Sequence, residues 1–205
     1  MICIIDLGIG NLGSIANMVK RFYKGEVCIS SDTKDIDRSS KVILSGVGAF
    51  DFAMKKLKEL QIIPALENKV LLEKAPLLGI CLGMQLLTTS SEEGQEEGLN
   101  WIPGKVFSFD RLGDKTFKIP HMGWNRVKVV NDHSIVTGFD EVFRFYFVHS
   151  YFVKVENSDH QLLSCHYGQS FDAAIQKENI YGVQFHPEKS HKYGFQLFNN
   201  FLGLN

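Results

Sequence analysis

The feature that most constrains the fold is an alternation, through the first half of the chain, of short apolar segments with stretches of helical spacing. Residues 2–6 are apolar and β-branched up to Asp6, and a glycine-rich turn follows from Gly8 to Gly13. Ile15, Val19 and Phe22 then recur three or four residues apart, which places them on one side of a helix over 14–23. Residues 27–30 and 42–45 repeat the strand pattern. Asp51 stands where it could cap a helix carrying Met54, Leu57 and Leu60, and a further helix is expected over 65–74. Apolar residues 77–80 lead straight into Cys81 and a helical stretch over 82–89. Such alternation predicts an α/β fold with an open, largely parallel central sheet flanked by helices.

The second half is richer in strands, expected at 105–109, 125–130, 143–148, 152–155, 162–166, 173–176 and 182–185, with a closing helix over 193–202. The acidic stretch 91–97 is expected to be a solvated loop. No repeat, low-complexity tract or linker divides the chain, so 1–205 is expected to be one domain.

Composition narrows the function. A formal net charge of −1 and a pI near 6.6 argue against binding driven by nucleic-acid phosphates. No apolar run approaches the roughly 18 residues of a membrane span, and Asp6 interrupts the first apolar run too early for a signal peptide. Cys3, Cys28, Cys81 and Cys165 lie far apart with no Cys-x-x-Cys pair. That spacing disfavours zinc-ribbon and thioredoxin-like sites and points to reduced thiols in a cytoplasmic compartment.

Gly79-Ile80-Cys81-Leu82-Gly83-Met84-Gln85 puts a cysteine at a strand-to-helix turn with glycines two residues to either side. Small neighbours permit the sharp turn of a nucleophile elbow. The following helix would direct its N-terminal dipole at the sulfur and favour thiolate. The competing reading is a buried cysteine that packs as a small hydrophobe. His186-Pro187-Glu188 offers an imidazole and a carboxylate to orient it, the arrangement a thiolate needs to protonate a leaving nitrogen. Taken alone it could equally be a loop ion pair. Of the other histidines, His121 and His149 are the first candidates to do more than pack. Gly46-Val47-Gly48, after the strand at 42–45, could turn a backbone N–H toward a substrate oxygen, with Leu82 N–H as second donor of an oxyanion hole.

A different chemistry is also written in the chain. Gly8-Ile9-Gly10-Asn11-Leu12-Gly13 matches G-x-G-x-x-G, and Asp32 falls where a ribose-binding acid would stand in a dinucleotide-dependent oxidoreductase. That reading leaves Cys81, His186 and Glu188 unexplained.

Taken together, the elbow, the His-Pro-Glu segment and the glycine loop resemble the class I (triad) glutamine amidotransferases, whose fold is flavodoxin-like. Within them the chain is most similar to the glutaminase subunits of imidazole glycerol phosphate synthases. The likeness is carried by Gly10-Asn11-Leu12, Gly46-Val47-Gly48-Ala49-Phe50, 79–87, Pro120-His121-Met122-Gly123-Trp124-Asn125, 146–151 and 181–190. It implies that Cys81, His186 and Glu188 hydrolyse glutamine to glutamate and ammonia, and that Gly48, Gln85, Ser150 and Tyr151 hold the substrate. It also implies a (β/α)8-barrel synthase partner in histidine biosynthesis that receives the ammonia, with Asn11, Trp124, Tyr146 and Lys189 facing it. It implies no metal or organic cofactor. Two departures stand out. Ser45 occupies a position that is usually proline, restoring a backbone donor and freedom at φ. Residues 189–194 resemble paralogues that build an acetamidino group on bacterial surface sugars, an alternative fate for the ammonia. Further alternatives are a stand-alone peptidase or γ-glutamyl hydrolase and a non-catalytic binding subunit.

Overall fold

In the computed structural model the described residues are 1–112, 117–140 and 142–204. The first apolar segment forms β1 (Ile2–Ile5), buried on both faces, with Ile2 and Ile4 joining one core cluster and Cys3 and Ile5 the other. Helix α1 (Leu12–Lys20) is capped by Asn11, whose Oδ1 accepts the Ser14 N–H, and it buries Leu12, Ile15 and Val19. Then come β2 (Val27–Ser30), α2 (Thr33–Arg38), β3 (Lys41–Gly46), α3 (Phe50–Glu59) and α4 (Ile63–Glu67), which widens into a π-type turn at Asn68–Leu72. β4 (Leu77–Cys81) runs into α5 (Leu82–Leu86) without a loop.

The remaining elements are β5 (Ser90–Ser91), β6 (Gly104–Ser108), β7 (His121–Val129), β8 (Arg144–His149), β9 (Tyr151–Val155), β10 (Gln161–Tyr167), β11 (Gln169–Lys177), β12 (Ile180–Val183) and α6 (His191–Leu202). The sheet order is β2-β1-β3-β4-β12-β11-β10-β7-β8, with β9 and β6 branching from β11. The run β2-β1-β3-β4-β12 is parallel, and pairing turns antiparallel from β12 to β11 onward. Parallel strands need crossover helices on the sheet faces. On one face α1 and α6 cover Ile2, Ile4, Ile43 and Leu78 together with a phenylalanine-rich cluster; on the other α2, α3 and α4 cover Cys3, Val42, Leu44 and Leu77. Phe145, Phe147, Phe171 and Phe185 are fully buried, each contributing about 2–3 kcal/mol of apolar burial.

Three local expectations change. Asp51 does not cap α3: the N-cap is Ala49 without a side-chain bond, and Oε2 of Glu93 accepts the Phe50 N–H at 2.9 Å. Asp51 instead accepts the N–H groups of Gln95 and Glu96, which hold its carboxyl below the usual range. The acidic stretch is therefore not a free solvated loop but is bound onto α3, with Glu96 also paired to Lys58. Asp32 is the N-cap of α2, its Oδ1 accepting the Lys34 N–H at 2.9 Å. The glycine turn meanwhile lies near the loop at Gly46: a Cβ added at Gly10 would stand 3.7 Å from Gly46 Cα.

Candidate active site

Because β3, β4 and β12 are parallel neighbours, their carboxyl ends meet on one sheet edge, the usual place for a site in an open α/β fold. Gly46 is in register with Cys81, and Ile80 with Val183. Cys81 itself has φ 55° and ψ −109°, a conformation that costs about 1–3 kcal/mol in a residue with a Cβ. The flanking glycines explain how the turn closes. A Cβ on Gly83 would come 1.8 Å from the Leu44 carbonyl oxygen, and one on Gly79 would come 2.8 Å from the Gly83 carbonyl oxygen. Two bare α-carbons thus let α5 rest directly on β3 and β4. Helix α5 is shorter than the stretch expected from the sequence, five residues, so its dipole is a smaller aid to the thiolate than a full-length helix would give.

The chain leaves β12 and brings His186 beside this turn. His186 N–H donates to the Tyr146 carbonyl at 2.9 Å. Ser190 Oγ donates to the His186 carbonyl at 2.6 Å and accepts the Tyr146 N–H at 3.0 Å, so backbone on both sides of the histidine is tied to β8. His186 Nδ1 donates to Glu188 Oε1 at 2.8 Å, both side chains being 5% exposed or less. Burial works against a charge on His186, but the nearby Cys81 sulfur and the Glu188 carboxylate, the latter by its hydrogen bond as well as its charge, outweigh it and raise its pKa to about 9. Nε2 is buried with no hydrogen bond formed, leaving it for a reacting proton. Burial pushes the Cys3, Cys28 and Cys165 thiols up, Cys165 to about 12, which suits inert packing.

A cavity of about 610 Å³ opens over the sulfur, lined by Val47, Gly48, Ala49, Cys81, Leu82, Gln85, Glu93, Pro120, Val148, His149, Ser150 and Tyr151. Val47, Gly48 and Leu82 of the expected oxyanion group border it, as do Gln85, Ser150 and Tyr151 of the expected substrate group. Gly46 is one residue behind, within β3, and the strand continues in register through Ser45 opposite Ile80. Two residues were not singled out from the sequence. Glu93 was hidden in a stretch that looked solvated, and burial raises its pKa. Gln184, fully buried, donates from Nε2 to Cys81 Sγ at 3.8 Å; its one sequence signal is an amide among otherwise apolar strand residues.

His121 and His149 form a buried pair, His149 in the cavity lining and Nδ1 of His121 2.8 Å from its Nε2. His149 Nδ1 donates to the Tyr151 carbonyl at 2.7 Å, so its Nε2 must accept. Burial lowers both, to about 4 for His121 and about 3 for His149, and both are neutral at pH 7.

On the outer side of the paired strands β7 and β8, Trp124 lies across from Tyr146 and stacks on His191 with centroids 5.6 Å apart. Lys189 lies over the Tyr146 ring and Arg144 over Trp124. Trp124, 43% exposed, and Met122, 61% exposed, make an uncovered apolar surface rimmed by cations. Three of the four expected partner-facing residues thus meet here, whereas Asn11 sits at the α1 cap. No helix among the described residues is long and apolar enough to cross a membrane, and among them no group of three or more His, Cys, Asp or Glu could hold a metal.

The glutamine amidotransferase class-I family model matches residues 4–204. An imidazole glycerol phosphate synthase subunit HisH 2 of Pseudomonas aeruginosa is 48% identical over 205 residues, covering 100% of both chains. A protein of the same name from Methanococcus maripaludis is 52% identical over 202 residues, 98% of each. Among solved structures, the glutaminase domain of a Trypanosoma brucei CTPS superposes with a TM-score of 0.68 at 15% identity, covering 98% of this chain and 91% of its own, a likeness of fold. The chain belongs to the class-I glutamine amidotransferase family and, within it, to the HisH subunits of imidazole glycerol phosphate synthase.

Proposed function

We propose that the whole chain acts as the glutaminase subunit of imidazole glycerol phosphate synthase, in the cytoplasm where its separate thiols stay reduced. The observation that carries the chemistry is the buried His186–Glu188 pair beside a strained Cys81 at the floor of an open cavity. In this reading the Cys81 thiolate attacks the carboxamide carbon of glutamine. Negative charge develops on the carbonyl oxygen near the backbone of Val47, Gly48 and Leu82. The His186 imidazolium gives its Nε2 proton to the departing nitrogen, the C–N bond breaks, and ammonia leaves a glutamyl thioester on Cys81. His186 then takes a proton from water, which attacks the thioester and releases glutamate and the thiolate. Glu188 holds the ring by its Nδ1–H throughout.

Gly48, Gln85, Ser150 and Tyr151 border the substrate's path to the sulfur, and the Glu93 carboxylate is the group there suited to a substrate ammonium. Trp124, Tyr146 and Lys189, together with Asn11, present the face for a (β/α)8-barrel synthase subunit to which the ammonia passes. The test is glutamate release from glutamine by wild type and Cys81→Ala, alone and with the barrel subunit loaded with its ribonucleotide acceptor. Stimulation by the loaded barrel that vanishes in Cys81→Ala is the expected result. Full activity in Cys81→Ala removes the mechanism. Stimulation only by a barrel from surface-sugar synthesis reassigns the acceptor while leaving the glutaminase chemistry in place.

A further inference from the structure

Gln184 follows β12 directly and is fully buried, in a stretch where residues 180–185 are otherwise aliphatic, aromatic or glycine. An amide in such surroundings costs stability unless every polar atom has a partner. Its backbone N–H donates to Ala173 O at 2.9 Å. Its side-chain Oε1 accepts from Gln85 Nε2 at 3.0 Å, and its Nε2 lies 3.8 Å from Cys81 Sγ. Since the Gln85 donor fixes the oxygen, the NH2 end is the one turned to the sulfur.

Gln85 is oriented in its turn. Its Nε2 also reaches the Tyr151 carbonyl at 3.3 Å, which accepts His149 Nδ1–H as well. His149 Nε2 accepts from His121 Nδ1, and His121 Nε2 accepts from Asn125 Nδ2 at 3.2 Å. One hydrogen-bond chain therefore runs from Asn125 in β7 to the sulfur, and each side chain along it has a single consistent donor and acceptor assignment. β12 contributes to the approach: a Cβ on Gly182 would stand 2.7 Å from Met84 Cγ, so α5 settles close enough for Gln85 to meet Gln184.

We propose that Gln184 is a positioning residue for the nucleophile, its amide N–H holding the Cys81 sulfur as thiolate at the cavity floor. The inference rests on Cys81 being the nucleophile. A donor aimed at sulfur favours the anion over the neutral thiol, because only the anion gains a charge-assisted hydrogen bond. Gln184 is not among the cavity-lining residues, so its amide acts on the reaction through Cys81, while its oxygen holds Gln85.

The test is the pH dependence of Cys81 alkylation by iodoacetamide, read on the Cys81 peptide by mass spectrometry, in wild type, Gln184→Met and Gln184→Glu. Alkylation needs no bound glutamine: the thiolate displaces iodide in forming the thioether. In Gln184→Met the midpoint of the profile should move up by about one pH unit, with kcat falling roughly tenfold and KM for glutamine changing far less. Gln184→Glu, which keeps the oxygen that Gln85 binds, should move the midpoint further up because a carboxylate then faces the sulfur. A merely structural glutamine would lower the melting temperature and leave the midpoint in place. An unmoved midpoint in folded Gln184→Met, or in Gln184→Glu should the first variant not fold, overturns the inference. Loss of the function reading would look different: shifted alkylation profiles in a chain that releases no glutamate.

Discussion

Nδ1 of His186 lies 2.8 Å from Oε1 of Glu188, with only Pro187 between the two residues. The proline fixes φ and belongs to a tight turn at Pro187–Lys189, so the side chains of two residues this close in sequence converge on one side. Together with the Ser190 bonds to Tyr146 and the His186 carbonyl, this turn makes the orientation of the imidazole a property of the backbone.

Replacing Glu188 by Gln preserves shape and removes the charge. Glutamate release should fall by roughly 10⁴ in kcat, as when a triad loses its orienting carboxylate. Glu188 is among the groups that hold the His186 pKa near 9, so the alkaline limb of the pH–rate profile should move toward neutral. A group raised in the folded state stabilises the fold fully below its unfolded pKa of 6.5. That contribution fades as pH rises through about 9, and the variant should show less of this alkaline loss. Rate profiles with melting curves from pH 6 to 10 check both.

The backbone strain at Cys81 gives a stability prediction separate from activity. Cys81→Ala keeps a Cβ at φ 55°, whereas Cys81→Gly removes it. The glycine variant should be more stable than the alanine variant by about 1 kcal/mol, although both are inactive. Chemical denaturation of the pair decides this; equal midpoints would mean that the turn carries no strain.

Gly83→Ala should be severe, because the new methyl would meet the Leu44 carbonyl, which a buried strand cannot move. A loss of about 3 kcal/mol or more, or failure to fold, is expected. Gly138→Ala, at a loop where nothing crowds the site but φ is 79°, should cost only about 1 kcal/mol. Similar costs at the two positions would argue against direct seating of α5 on β3.

The buried histidine pair makes stability depend on mild acid. His121 and His149 titrate at about 4 and about 3 in the fold and at 6.5 when unfolded. Below pH 6.5 the unfolded chain takes up protons that the fold refuses, so stability is full above that pH and falls as pH drops. The slope is about 1.4 kcal/mol per pH unit for each histidine. Asp172 and Glu93, whose carboxyls burial pushes up, act in the opposite direction. His121→Asn should therefore flatten the curve between pH 6.5 and 5 by about one histidine's share. Urea denaturation at half-unit pH steps measures it, and an unchanged slope would show that the pair does not remain neutral.

Much of the fold was legible because its signals are local. The strands at Ile2–Ile5, Val27–Ser30 and Leu77–Cys81 announce themselves by apolar runs, and α6 by its periodic phenylalanines. What was missed depends on pairing at a distance. Residues 121–123 include none of the residue types favoured in strands, yet His121, Met122 and Gly123 extend β7 because they pair with His149, Val148 and Phe147 of β8. Asp51 and Glu93 exchanged their expected roles, capping and solvation, because a loop more than forty residues away folds onto α3.

The sequence by itself determined the identities that chemistry demands: a cysteine between two glycines, and a histidine and glutamate joined by proline. Those constraints are local, since bond geometry and side-chain size dictate which residues can make such turns. Only the tertiary structure decided that Gln184 would touch the sulfur, that Glu93 would border the cavity, and that two histidines 28 residues apart would be hydrogen-bonded to each other. Burial and hydrogen-bond partnership are set by which strands lie side by side, and strand order is a property of the assembled sheet that no short stretch of chain contains.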